Sequence, residues 1–210
     1  MKVLITGAAG QDGTILATQL NRKDYEIVGL VKPGTSTGRL RRYVPDMSIL
    51  EIDMEDLTGL NEILKDFSPT HIYNFGAFSA PGESWDHEDE VRRVNVDAVD
   101  VILKAVIRQG KSARFFQASS SHIFEGTDRS PQNEDFELSP SSPYARSKAD
   151  ALMLVREARA QGVFAVSGIL YNHESPLRSE HFVTRKVTKA RSEEHTSEVQ
   201  SPDHLVCRLM

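Results

Sequence analysis

The stretch Val3-Leu4-Ile5-Thr6-Gly7-Ala8-Ala9-Gly10-Gln11-Asp12-Gly13 decides the fold of this chain. A short apolar run leads into three glycines spaced three residues apart, and residues 14–20 then form an apolar run of helical character. We therefore expect a buried strand, a tight turn and a helix. Gly7 permits the turn, Gly10 permits close approach of a pyrophosphate, and Gly13 permits close packing of the helix on the strand. The free amides of the first helical turn would then face the phosphates.

Composition and charge limit the class of protein. The 210 residues carry a net charge of −5 and one cysteine, and 39% of them are hydrophobic. These totals predict one ordinary domain, alone or with a fragment of another, with enough apolar residues for a core. The acidic balance, the short apolar runs and the absence of a signal-peptide core favour a cytoplasmic protein without nucleic-acid or membrane partners. Neither a disulfide nor a metal site is expected, because the sequence has no second cysteine and no Cys/His cluster.

Short β-branched runs alternate with longer amphipathic stretches, which is typical of a parallel sheet covered by helices on both faces. We predict strands at residues 2–6, 26–31, 48–53, 71–75, 113–118 and 164–170, and helices at residues 12–23, 57–67, 88–109 and 143–161. The predicted fold is therefore α/β, with a doubly wound, Rossmann-like parallel sheet. In such sheets the ligand binds at the carboxyl ends of the strands.

The loop after the second predicted strand, residues 32–42, bears on the choice of cofactor. NAD-binding domains usually place an acidic residue here for the ribose 2′-hydroxyl, whereas this loop offers only cations and hydroxyls. Lys32 or Arg39 would suit the 2′-phosphate of NADP, so the loop favours NADP over NAD; the alternative is that both are solvated surface cations. After the third strand, Asp53 and Met54 are placed to meet the adenine edge. After the fourth, the turn 74–77, with Phe75 and Ala77, lets a cofactor ribose approach the backbone.

Two further motifs carry side chains with catalytic chemistry. Ser119-Ser120-Ser121-His122 follows the fifth strand, and Ser142-Pro143-Tyr144-Ala145-Arg146-Ser147-Lys148 opens the last predicted helix. Tyr144 and Lys148 are four residues apart and share one helix face. A lysine ammonium and an oxidised nicotinamide both favour phenolate, so we expect the pKa of Tyr144 to be lowered toward neutrality. Tyr144 would then serve as a general base, with Ser120 orienting the same substrate hydroxyl.

The glycine turn, the Ser120, Tyr144 and Lys148 set and their order resemble the extended short-chain dehydrogenase/reductases, and among these the GDP-mannose 4,6-dehydratase family. The narrower resemblance rests on residues 5–13 and 117–119, on Asn172-His173-Glu174-Ser175-Pro176, and on Phe182-Val183-Thr184-Arg185-Lys186. It extends from Met1 to about residue 190. It implies that Asn172 lies beside the nicotinamide or sugar and Arg185 near the nucleotide. By the same resemblance, further cofactor contacts come from Gln11, Asp12, Tyr144, Lys148 and His173, and further substrate contacts from Ser79 and Ser121.

The resemblance implies an internal redox cycle on a GDP-sugar substrate. Tyr144 deprotonates the sugar 4-hydroxyl as a hydride passes from C4 to NADP, a base removes the acidified C5 proton, water leaves from C6, and the hydride returns to C6. The family has a glutamate two residues after Ser120, where this chain has His122, whose neutral imidazole can accept a proton near neutral pH. Glu125 is a second candidate base. This departure leaves open a nucleotide-sugar reductase or epimerase, and also a non-catalytic NADP-binding module.

The last twenty residues depart from the family pattern, which continues beyond residue 186 into a further strand and a carboxyl-terminal substrate domain. Here Arg191-Ser192-Glu193-Glu194-His195-Thr196-Ser197-Glu198-Val199-Gln200-Ser201 has no hydrophobic period and resembles the translation of a sequencing-library adapter. We therefore expect an NAD(P)-binding Rossmann-like domain at residues 1–190, a non-native tail at 191–210, and no carboxyl-terminal substrate domain. A natural disordered tail is the alternative. For a full-length relative, the resemblance implies assembly into a homo-oligomer through the helices that precede and contain Tyr144.

Overall fold

The structure is a computed structural model that describes residues 1–21, 23, 25–180 and 182–194. The chain divides into two compact units, Met1–His173 and Glu174–Met210. In the second unit a helix spans Val183–Glu194 and runs through the boundary predicted at residue 190. The remainder of the predicted tail, residues 195–210, lies outside the described residues.

Six strands form one parallel sheet in the first unit, which confirms the predicted doubly wound α/β fold. They are β1 (Lys2–Thr6), β2 (Glu26–Val31), β3 (Ser48–Glu51), β4 (His71–Asn74), β5 (Arg114–Ala118) and β6 (Ala165–Gly168). The strand order is β3-β2-β1-β4-β5-β6, so the direction of winding changes between β1 and β4. Such a reversal opens a crevice at the carboxyl ends of the two strands, which is where an open α/β sheet binds its ligand.

Helices cover both faces of this sheet. They are α1 (Gln11–Leu20), α2 (Gly38–Tyr43), α3 (Leu57–Phe67), α4 (Glu88–Arg92), α5 (Ala98–Arg108) and α6 (Pro143–Ala160), and the helix of the second unit is α7. The single helix predicted over residues 88–109 is interrupted by a π-helical turn at Arg93–Asp97. The short helix α2 was not predicted, because the pattern of charges and hydroxyls around it indicated a loop. Among the described residues, no helix is long and apolar enough to cross a bilayer.

The core consists of apolar clusters on the two sides of the sheet. Val3 and Ile5 of β1 pack with α1 and α2 on one side, whereas Leu4 packs with α3, α5 and α6 on the other. Because successive strand residues point to opposite faces, a strand that is buried on both faces needs consecutive apolar residues, such as Val3, Leu4 and Ile5 of β1. A smaller cluster joins Ile123 and Phe124 to α6. It anchors the 3₁₀ turn Ser121–Phe124, which follows β5, against the helix that carries Tyr144.

Candidate active site

The glycine turn between β1 and α1 is tight enough to exclude side chains. Gly7 has a φ of +62°, and a Cβ there would lie 2.8 Å from the amide nitrogen of Gly76. A Cβ on Gly13 would lie 2.5 Å from the carbonyl oxygen of Gly7, and one on Gly10 would lie 3.1 Å from the same oxygen. Gly10 is the N-cap of α1 and makes no side-chain hydrogen bond to the first turn. The turn therefore brings bare backbone and the first amides of α1 together, and an anionic phosphate fits that arrangement.

A cleft of about 420 Å³ adjoins the turn. Its wall includes residues that follow β1, β2, β3 and β4, so the ends of four strands contribute to one cavity. The predicted site residues in this wall are Gly7, Gly10, Lys32, Asp53, Met54, Phe75, Ala77 and Ser79. Arg39 is not among the residues of the wall and is exposed on α2. Of the two cations proposed for a 2′-phosphate, the structure therefore brings Lys32 to the cleft.

Lys32 is held by two carboxylates that its own loop does not supply. Its Nζ lies 3.4 Å from Asp53 Oδ2 and 3.3 Å from Glu90 Oε1. The hydrogen bond to Glu90 raises the pKa of Lys32 above its ordinary value; burial opposes this rise, and the charges of Asp53 and Glu90 add to it. The loop 32–42 thus has no acidic residue of its own, but in the folded cleft Glu90 of α4 reaches Lys32.

The predicted catalytic side chains come together next to the sheet. Tyr144 and Lys148 lie in the first two turns of α6, which begins at Pro143. Ser142 is the N-cap of this helix, and its Oγ accepts a hydrogen bond from the amide of Ala145 at 3.2 Å. Lys148 Nζ lies 5.7 Å from the centre of the Tyr144 ring. Ser120, two residues after the end of β5, shares a hydrogen bond with Tyr144. All three side chains are buried.

The structure adds an effect on the pKa of Tyr144 that the sequence did not show. Burial raises the pKa of Tyr144 above its ordinary value, and the hydrogen bond with Ser120 opposes the rise. Burial also lowers the pKa of Lys148 from 10.5 to about 8. The sequence indicated that the two groups share a helix face but not that both are removed from water, and desolvation disfavours the charged form of each.

His122 and Glu125 form a pair beside these residues. His122 Nδ1 lies 3.2 Å from Glu125 Oε1, and the His122 ring meets the Tyr144 ring edge-on with centroids 5.5 Å apart. The other carboxylate oxygen of Glu125 accepts hydrogen bonds from Ser141 Oγ and Ser142 Oγ, both at 2.9 Å. Burial acts to raise the pKa of Glu125, but the hydrogen bonds from Ser141, Ser142 and His122 outweigh it, so the pKa lies below its ordinary value.

The remaining predicted site residues lie at the start of α1, after β5, after β6 or in the second unit. His173 Nε2 is 2.9 Å from Asp12 Oδ1, and Gln11 Nε2 donates to the His173 carbonyl at 3.3 Å, so these three predicted cofactor residues lie together at the start of α1. Asn172 is exposed in the same loop. The Ser121 amide donates to the Leu170 carbonyl at 2.9 Å. Arg185 lies on α7 of the second unit.

Comparison with known proteins identifies the family. Residues 4–202 match the family model of GDP-mannose 4,6 dehydratase. This chain belongs to the GDP-mannose 4,6-dehydratase family. It is 38% identical to the GDP-mannose 4,6 dehydratase of Drosophila melanogaster over 200 residues, which cover 89% of this chain and 51% of that protein. It is also 38% identical to the Homo sapiens protein of the same name, with coverage of 89% and 54%.

Two solved structures share the fold of this chain. The dTDP-glucose 4,6-dehydratase DesIV from Streptomyces venezuelae, solved with NAD and TYD bound, has a TM-score of 0.81 at 22% identity and covers 92% of this chain and 62% of its own. MoeE5, solved with UDP-glucose and NAD, has a TM-score of 0.75 at 26% identity, with coverage of 92% and 62%. The present chain spans about half the length of the curated dehydratases that it matches.

One feature of this family member that the sequence analysis missed is a row of polar side chains across the sheet. Thr6, Asn74 and Gln117 stand in register on β1, β4 and β5. Thr6 Oγ1 donates to Asn74 Oδ1 at 2.5 Å, and Asn74 Nδ2 donates to Gln117 Oε1 at 2.7 Å. Gln117 Nε2 and Lys148 Nζ both donate to the Ala118 carbonyl, at 3.0 and 3.2 Å. The signal in the sequence was a polar residue near the end of each of three apolar strands.

A second missed residue lies in the π-helical turn. Asn95 Oδ1 accepts from the Phe78 amide at 2.8 Å, and Asn95 Nδ2 lies within hydrogen-bond distance of the Phe78 carbonyl and of Ser147 Oγ, at 3.2 and 2.9 Å. The buried amide thus fixes one wall of the cleft to α6. Asn95 is buried within this turn, and π-helical turns often occur at functional sites.

The burial of Lys148 predicts a pH-dependent stability. Its folded-state pKa of about 8 lies below the unfolded value of 10.5, so between these values the unfolded chain binds more protons and stability rises with pH. The free energy of unfolding should increase by about 2 kcal/mol between about pH 7.5 and about pH 9.5. In Lys148→Met that increase should vanish, and the variant should be the more stable protein at neutral pH. Urea unfolding of both chains at the two pH values measures this; an equal increase in the variant would assign the slope to another group.

Proposed function

We propose that this chain carries the nicotinamide-binding and hydride-transfer part of a nucleotide-sugar 4,6-dehydratase, which converts GDP-mannose to GDP-4-keto-6-deoxymannose. The observation that carries the proposal is the buried cluster of Ser120, Tyr144 and Lys148 at the carboxyl end of the same sheet as a glycine turn that fits a phosphate. A protein that only sensed a dinucleotide would have no use for these proton-transfer groups. Membership of the dehydratase family supports the choice of GDP-mannose.

The residues of the cleft suit a nicotinamide dinucleotide. The bare turn at Gly7, Gly10 and Gly13 suits the pyrophosphate, and the wall formed by Asp53 and Met54 suits the adenosine half. We infer NADP as the cofactor, because Lys32 stands at the end of β2, where the ribose 2′-position is expected. A nicotinamide held in this cleft would supply the hydride acceptor for oxidation at sugar C4 and the hydride donor for reduction at C6.

The side chains of this chain move the protons of that cycle. Tyr144 takes the proton of the 4-hydroxyl as C4 is oxidised, and its hydrogen bond with Ser120 directs both groups to the same substrate oxygen. Lys148 contributes a positive charge near the forming phenolate, 5.7 Å from the ring centre, which offsets part of the desolvation penalty. His122, edge-on to Tyr144, is the group we assign to the C5 proton during elimination of water from C5 and C6.

Product analysis tests this proposal. The purified chain is first titrated with NADP, and is then incubated with GDP-mannose and NADP while the nucleotide sugars are followed by mass spectrometry. Loss of one water from GDP-mannose is expected, without net consumption of cofactor. A change at C4 without loss of water would favour the epimerase or reductase alternative. The presence of His122 in place of the family's glutamate supports that alternative. Binding of NADP without any change of the sugar would leave this chain a dinucleotide-binding module.

Lys32→Ala should separate the two nicotinamide cofactors. The variant removes the cation proposed for the 2′-phosphate, and a charge-assisted hydrogen bond of this kind contributes about 1.5–3 kcal/mol. Affinity for NADP should therefore fall about 10- to 100-fold, whereas affinity for NAD should change little. Isothermal titration with both cofactors measures the ratio, and Arg39→Ala, on a cation outside the cleft wall, is the matched control. Equal losses for both cofactors would remove the argument for NADP.

A further inference from the structure

We propose that Glu125 is a positioning residue for elimination, which fixes the ring and the tautomer of His122 so that Nε2 accepts the C5 proton. The inference rests on the proposed dehydratase function and deepens it. His122 stands where the family has a glutamate, and an imidazole acts as a base only through the nitrogen that carries no hydrogen. Which nitrogen that is depends on the partner of the other one.

The geometry around Glu125 selects the tautomer. An ionised carboxylate accepts hydrogen bonds and donates none, so the contact of 3.2 Å between Glu125 Oε1 and His122 Nδ1 requires a hydrogen on Nδ1. The lone pair of the neutral ring is then on Nε2. The hydroxyls of Ser141 and Ser142 donate to the second oxygen of Glu125 at 2.9 Å and favour its ionised form.

The same contacts hold the pair rigidly against the hydride-transfer site. Ser142 is also the N-cap of α6, so a hydrogen bond joins Glu125 to the start of the helix that carries Tyr144. Ile123 and Phe124, between His122 and Glu125 in the chain, are buried in the cluster on α6. The chain beyond Glu125 is fixed as well, since the Gly126 amide donates to the Ser139 carbonyl at 2.7 Å. The spacing between His122 and Tyr144 is therefore set by packing on both sides.

Elimination of water needs no proton acceptor or donor other than His122. The proton of C5 passes to His122 Nε2, the electron pair of that bond forms the C5–C6 double bond, and the C6–O bond breaks. The imidazolium returns the proton to the departing hydroxyl, which leaves as water. Glu125 takes no part in the bond changes and acts by orienting the ring and stabilising its positive charge.

Nitrogen NMR of the chain labelled at histidine tests the tautomer without any need for turnover. The His122 signals are assigned from their loss in His122→Gln. In the parent chain with a neutral His122 ring we expect a protonated Nδ1 and an unprotonated Nε2, whereas Glu125→Gln and Glu125→Ala should give mixed tautomers. Glu134→Gln, which removes an exposed carboxylate of the same loop, should leave the signals unchanged. A parent chain with its hydrogen on Nε2, or a tautomer that does not respond to loss of Glu125, would overturn the proposal.

Kinetics test the consequence for elimination. In Glu125→Gln, loss of water should slow about 10- to 100-fold, less than the 10²–10⁴-fold that a general base itself contributes. Reduction of bound NADP by GDP-mannose should remain within about threefold, since Ser120, Tyr144 and Lys148 are unchanged, so the absorbance of reduced nicotinamide should accumulate. Equal losses in both steps would indicate a merely structural role and overturn the proposal. If the parent chain does not dehydrate GDP-mannose, the proposed function fails, and the NMR result still decides whether Glu125 positions His122.

Discussion

Tyr144→Phe is expected to lower the rate of NADP reduction by GDP-mannose by about 10²–10⁴-fold, the contribution of a positioned general base. The variant loses only the hydroxyl that shares a hydrogen bond with Ser120. The ring remains, so the edge-on contact with His122 and the packing at the start of α6 are retained. Affinity for NADP should change by less than about threefold, because the substitution acts on proton transfer rather than on the cleft.

Stopped-flow absorbance of the reduced nicotinamide gives the rate, and calorimetric titration gives the affinity. Tyr43→Phe on α2 makes the same chemical change at an exposed tyrosine and should leave both quantities as they are. If Tyr144→Phe reduces NADP at the parent rate, another group takes the proton of the 4-hydroxyl. In that case the buried cluster of Ser120, Tyr144 and Lys148 is a structural feature of the sheet end.

Gly13→Ala should weaken binding of the dinucleotide by distorting the glycine turn. The added Cβ would lie 2.5 Å from the Gly7 carbonyl oxygen and 2.7 Å from Ala8 Cα, both backbone atoms that cannot rotate away. The turn must therefore open or α1 must shift, at a cost of about 1–3 kcal/mol. We expect affinity for NADP to fall about 10- to 100-fold, because the amides that face the pyrophosphate move with the turn.

Gly82→Ala provides the matched control, since a Cβ at Gly82 meets no atom within 4 Å. It should keep the parent affinity and the parent free energy of unfolding. Titration with NADP and urea unfolding of the two variants separate lost binding from lost folding. Parent-like affinity in a folded Gly13→Ala chain would contradict the assignment of this turn to the pyrophosphate.

Much of the architecture and part of the candidate site could be predicted from local patterns. The glycine spacing after β1 predicted the turn, and the interval of four residues between Tyr144 and Lys148 predicted their shared face, because both depend on backbone geometry over a few residues. The strands predicted at residues 48–53 and 164–170 are longer than the observed strands, which span Ser48–Glu51 and Ala165–Gly168. Where a ladder stops depends on the neighbouring strand and not on the propensity of the residues themselves.

The sequence by itself determined the order of strands and helices, the glycine turn after β1 and the shared helix face of Tyr144 and Lys148, since these follow from periodicity and short spacings. Only the tertiary structure brought Glu90 to Lys32 across 58 residues, replacing the expected acid-free loop with a paired cation. Only it turned Glu125 toward His122, and only it introduced the burial that opposes the lowering of the Tyr144 pKa expected from Lys148 and an oxidised nicotinamide. Electrostatic properties depend on which groups surround a side chain and how much water reaches it, and both are set when distant segments pack together.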